Sequence, residues 1–206
     1  MRFNWFAIIL VIICVVVFIF QNIDTQITDQ YALVSAAVFS APWTLITSMF
    51  LHGSFEHLFY NMFALALFGT ILERVIGGKK FLLLYFVAGI ISGLGTLPFY
   101  EASIGASGAI FGVLGALGVL RPRMTVYISY IPMPMAAAVI LWAVGDIIGF
   151  FAPSGVANAA HLFGVVFGLI VGFYLKDKYG ERVRPRRKSR INIDEEEFEE
   201  WEDRWM

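Results

Sequence analysis

Hydrophobic positions in this chain come as long runs rather than as stripes. Runs at about 4–20, 56–76, 80–99, 105–120, 126–151 and 157–175 carry almost no charge and end at turn residues or charged clusters. Runs of that length predict six membrane-embedded helices. The first, roughly Trp5 to Phe20 at its most apolar, is longer than the hydrophobic part of a secretion signal, and no small-residue cleavage site follows it. It reads as a retained first span. A long connection, 21–54, separates the first two helices and holds Phe39, Trp43 and Phe50 beside Asp24 and Asp29, so part of it should lie at the membrane interface. After the last helix comes a tail, 177–206, first basic and then acidic, read as a flexible cytoplasmic segment beyond a membrane domain spanning 1–176.

Composition agrees with this pattern. Hydrophobic residues make up 59% of the chain and mean hydropathy is +0.75, which excludes an ordinary soluble domain. The fold class expected is all-α, a polytopic membrane bundle. A net charge of -1 conceals a segregation of charges that speaks against nucleic acid as a partner. Cys14 is the single cysteine, so no disulfide within the chain is possible.

The basic residues orient the bundle. Arg2, then Arg74 with Lys79 and Lys80, then Arg121 with Arg123, then the rest from Lys176 onward place all 15 on one side of the membrane. Cytoplasmic loops carry that excess, so both termini are expected in the cytoplasm, and the second, fourth and sixth helices enter from outside.

The polar residues then converge. His52 and His57 lie at the start of the second helix, Ser107 at the start of the fourth and His161 near the start of the sixth. From Ser107 to Arg121 a helix runs ~21 Å, and from His161 to Lys176 ~22 Å, both short of a ~30 Å hydrocarbon core. Ser107 and His161 therefore come level with each other below the outer surface. Glycines at 108, 112 and 115 and at 164, 168 and 172 form small faces beneath them, which permit close backbone approach. A serine hydroxyl becomes a nucleophile when an imidazole takes its proton, and the oxyanion that forms needs preorganised donors. His57 and Asn61, one turn apart on one face, and free amides at the start of the fourth helix are candidates.

Gly105-Ala106-Ser107-Gly108 opening a short helix, Ala160-His161 with Gly164 and Gly168 behind it, and His52 through His57 to Asn61 in an earlier helix together resemble the rhomboid intramembrane serine proteases in their minimal six-helix form. The resemblance covers roughly 40–175 in the family's order. It implies a Ser–His dyad without a third carboxylate, acting on transmembrane protein substrates near a helix end, with small residues preferred at the cleavage site. It makes Ser107 the nucleophile and His161 the general base and acid. His57 and Asn61, with the Ser107 amide, would line the oxyanion hole, and Gly105, Gly108, Phe111 and His52 would support them. Phe111 stands where many bacterial members have a tyrosine stacked on the catalytic histidine. The Trp-Arg pair typical of the first external loop is absent, and Trp43 follows Pro42 instead. Glu73-Arg74 resembles a structural pair of the family. A prokaryotic cell membrane is the location implied, and membrane lipids are the other expected partner.

Other readings weigh against this one. A metal or ion site from His52, Glu56, His57 and His161 lacks the H-E-x-x-H spacing, and no metal or other cofactor is expected. An inactive rhomboid-like protein that binds membrane clients would more naturally lack the serine or histidine. Asn158 reads as interhelical glue, and Asp146, alone in the fifth apolar run, either faces a cavity or pairs with a neighbour. No sequence signal sets an oligomeric state.

Overall fold

The structure, a computed structural model, describes residues 4–152, 155–181 and 195–205. α1 (Phe6–Ile23) is apolar up to Gln21, and its first amides lack partners within the helix. Glu73 supplies them: its carboxylate accepts from the backbone N–H of Asn4, Phe6 and Ala7 at 3.0–3.2 Å. That contact explains a carboxylate with only 1% of its surface exposed.

The long connection 21–54 is ordered by short elements. They are α2 (Gln26–Tyr31), β1 (Leu33–Val34) and α3 (Thr44–Thr47). β1 pairs antiparallel with β2 (Ala102–Ser103), with Leu33 opposite Ser103, so the loop is tied to the segment just before Ser107. At its other end Gln21 and His52 exchange two hydrogen bonds, the Gln21 amide donating to the His52 carbonyl and accepting from the His52 N–H.

The second span begins as α4 (Phe55–Ala64), capped by Ser54 Oγ accepting from the His57 N–H. It widens into a π turn over Leu65–Gly69 and resumes as α5 (Thr70–Ile76). Gly77, at φ 87°, breaks it and starts α6 (Gly78–Thr96). The fourth span is α7 (Ser107–Leu120), whose residues after Ser107 are buried except Phe111. α7 is the axis of the bundle, enclosed by α6, α8 (Met135–Phe150) and α9 (Asn158–Tyr179). α10 (Glu195–Trp205) lies in the tail. Four spans, Phe6–Ile23, Phe55–Ile76, Gly78–Thr96 and Asn158–Tyr179, are long and apolar enough to cross a membrane; α7 and α8 are shorter apolar helices.

All six expected helices exist, with corrections at their edges. The fifth begins at Met135, not near 126, because 125–134 folds as a hairpin of β3 (Thr125–Ile128) and β4 (Ile131–Pro134). Pro132 and Pro134 bar a helix there, and Ser129 and Tyr130, at φ 49° and 68°, make the two-residue turn. The last helix continues past 176 to Tyr179. Of the tail read as flexible, 182–194 and Met206 lie outside the described residues, and 195–205 are helical.

Close packing of α7 on α9 levels the site. A Cβ on Gly164 would strike the Gly108 carbonyl, and one on Gly168 the Gly112 carbonyl; one on Gly115 would come within 2.5 Å of the Val165 carbonyl. With no side chains between them, the two backbones meet directly. The C-terminal ends of α7 and α9 are closed by Arg121, whose guanidinium donates to the carbonyls of Leu120 (2.7 Å) and Tyr179 (2.6 Å).

Candidate active site

A cavity of about 1440 Å³ opens between α4, α7, α8, α9 and the 21–54 connection. Ser107, His161, His57, Asn61 and Phe111 all line it. Ser107 is the first residue of α7 and half-buried. The first hydrogen bond of that helix runs from the Ile110 N–H to the Ala106 carbonyl, so the amides of 107–109 precede the ladder and lie beside the serine.

Gly105 sets the approach to it. Its φ of +123° is a conformation that side chains disfavour, and a Cβ there would stand 2.8 Å from His57 Cε1 and Nε2. The His57 ring thus packs against the turn that presents Ser107. Asn61, buried on the next turn of α4, donates from Nδ2 to the His57 carbonyl at 2.8 Å, and among the described residues no partner takes its second amide hydrogen. Gly108 lies against Ser92 of α6, where a Cβ would meet Ser92 Oγ at 2.7 Å.

His161 is clamped in two directions. Its ring stacks on Phe111, centroids 4.1 Å apart and planes 5° from parallel. At its edge, Nδ1 lies 2.8 Å from Asp146 Oδ1 of α8. Among the described residues no hydrogen bond engages His161 Nε2 or Ser107 Oγ, so the structure brings the two residues into one cavity without joining them. Hydrogen bonds between catalytic groups commonly shorten only when a substrate is bound.

Residues 40–178 match the family described as Rhomboid domain. The chain belongs to the rhomboid family. It is 35% identical to the Bacillus subtilis rhomboid YdcA over 143 residues, which cover 68% of this chain and 70% of that one. Rhomboid protein 1, mitochondrial, of Saccharomyces cerevisiae is 33% identical over 77% of this chain and 49% of its own length. Rhomboid protease GlpG of Yersinia pseudotuberculosis is 29% identical over 64% of this chain and 48% of its own. This rhomboid is accordingly an integral, multi-pass membrane protein.

The resemblance implied a Ser–His dyad without a third carboxylate; in this rhomboid Asp146 Oδ1 lies 2.8 Å from His161 Nδ1. The sequence offered a signal, a lone acid in an apolar run, without its partner. It offered none for Ser92 or for Gly149, where a Cβ would meet the Asn158 amide at 2.8–3.0 Å. Asn158, the first residue of α9, thus packs against Gly149 of α8.

His52 stands behind the site rather than in the cavity. It is 2% exposed, its ring lies 5.1 Å from that of His57 at 64°, and neither ring nitrogen has a hydrogen-bond partner among the described residues. Burial above all, then the neighbouring His57, pulls its pKa down from 6.5 to about 4, with the Phe50 carbonyl opposing more weakly. It is therefore held neutral. Among the described residues no group of three or more His, Cys, Asp or Glu side chains is placed to hold a metal ion.

Proposed function

We propose that this rhomboid is an intramembrane serine endopeptidase that hydrolyses peptide bonds in or near transmembrane segments of other membrane proteins. The observation that carries the reading is the convergence of Ser107, His161, His57 and Asn61 on one cavity, with His161 stacked on Phe111. In this mechanism His161 Nε2 takes the Ser107 proton as Oγ bonds to the scissile carbonyl carbon. The oxyanion gathers donors from His57, Asn61 and the amide of Ser107. His161 then returns the proton to the leaving amine as the C–N bond breaks, and water releases the acyl group.

Both termini are assigned to the cytoplasm and the cavity to the outer face, in a prokaryotic cell membrane. Phe68 and Trp142, rings 6.0 Å apart and nearly perpendicular, bridge the second span and α8 at the cavity wall. That wall is the proposed route for substrate, with α8 and the external connection controlling it. A crosslink pinning α8 to the second span that left cleavage untouched would sink the gating role.

The deciding experiment is cleavage of a single-span substrate by the purified protein in detergent with EDTA, beside Ser107→Ala and His161→Ala. Loss in both variants, with indifference to EDTA, supports the dyad. A second reading, client binding without cleavage, has one observation on its side: Ser107 Oγ makes no hydrogen bond to His161. Absence of cleavage by the parent protein across several substrates and lipids would favour it.

A further inference from the structure

We infer that Asp146 is a positioning residue for His161, so that the base of this rhomboid is oriented by a carboxylate delivered from α8. The inference rests on the proposed protease reading for its kinetic consequences, but not for the state of the imidazole.

Three observations carry it. Asp146 lies in an otherwise apolar helix, with its side chain 9% exposed, and such a group is costly in a membrane protein unless paired. Among the described residues its only ion-pair neighbour is His161, whose side chain is 12% exposed. The atom contacted is Nδ1. With Asp146 ionised and so only an acceptor, and His161 neutral, the contact puts the imidazole proton on Nδ1 and leaves the lone pair on Nε2, the atom the mechanism needs as base. Finally, stacking on Phe111 fixes the plane of the ring but does not distinguish the two orientations related by a half-turn about Cβ–Cγ. A hydrogen bond at the ring edge selects one of them.

The packing keeps the carboxylate in reach. Asp146 faces His161, and three residues later on α8 Gly149 faces Asn158, three residues earlier on α9. This is an antiparallel register, and it is held close because Gly149 has no side chain. When Nε2 takes the Ser107 proton, the imidazolium keeps its Nδ1–H on Asp146, which itself takes up no proton. When Nε2 gives that proton to the leaving amine, the neutral Nδ1–H form returns.

The test uses the full chain in detergent, labelled with 15N-histidine, with His161→Ala assigning the resonances. The parent at pH 8 should show His161 protonated at Nδ1. Asp146→Asn, whose amide can donate to Nδ1, should shift His161 toward the Nε2-protonated form. In cleavage assays Asp146→Asn should lower kcat by at least about 10²-fold with KM held within about twofold. Asp146→Glu, which restores a carboxylate, should recover both the tautomer and part of kcat. A parent spectrum with the proton on Nε2, or an Asp146→Asn protein with unchanged kcat, would overturn the inference. If the parent neither cleaves nor reacts with a fluorophosphonate at Ser107, the protease reading fails, while the change of tautomer still decides the role of Asp146.

Discussion

Gly105→Ala tests how the turn before α7 sets the donors of the site. Two costs follow from the structure. At φ +123° an alanine is strained, on the order of 1–3 kcal/mol. Its Cβ would also stand 2.8 Å from the His57 ring, whereas ordinary contact begins at 3.4 Å, so ring or turn must yield roughly 0.6 Å. Displacement of about 1 Å in a catalytic constellation costs about 10²-fold in rate, so a loss of roughly tenfold or more in kcat is expected here. The assay is steady-state cleavage in detergent beside a thermal melt. Gly145→Ala is the control, because a Cβ there meets nothing within 4 Å and the helix gains about 0.5–1 kcal/mol. If Gly105→Ala kept the parental kcat, His57 would not need the position that the turn gives it, and its assignment to the oxyanion hole would fall.

Other perturbations probe the frame around the site. Gly168→Ala sets a methyl against the Gly112 carbonyl and the Ala116 amide, both backbone, so α7 and α9 must part; a loss of about 1–3 kcal/mol in stability and a sharp fall in cleavage are expected, and an unshifted melt would refute the contact. His52 should make the protein acid-sensitive: its folded pKa of about 4 lies below the ordinary 6.5, so the unfolded chain binds the extra proton between those values. Its contribution is complete above pH 6.5 and shrinks by up to about 3 kcal/mol as pH falls toward 4; melts of parent and His52→Phe that fall equally over that range would contradict this. Glu73→Ala leaves the amides of Asn4, Phe6 and Ala7 without their acceptor, and should cost about 1–3 kcal/mol, read from the melt with kcat nearly unchanged. Trp142→Ala removes the ring that meets Phe68 and should speed cleavage of bulky substrates while lowering the melting temperature; slower cleavage at an unchanged melt would argue against a gate there.

Much of this rhomboid was readable because its signals are local or additive. Hydropathy summed over a window locates a membrane helix without knowledge of neighbours. Ser107, His161, His57, Asn61 and Phe111 could be named because each stands in a short pattern near a helix start, and the structure brings all five to one cavity. The same window failed at 126–134. Summed hydropathy cannot tell a short apolar hairpin from the start of a helix, although Pro132 and Pro134 spoke against the helix.

Partnership was decided by the tertiary structure alone. Nothing in spacing joins Asp146 to His161, because the contact depends on the antiparallel register of α8 and α9, which Gly149 and Asn158 set by packing. The Gly105 turn against His57 and the Glu73 cap on α1 likewise join segments far apart in the chain. A sequence therefore determined which residues are polar inside an apolar bundle. Which of them touch was left to the fold, since a polar group in a membrane protein is stable only once some other element has been packed close enough to satisfy it.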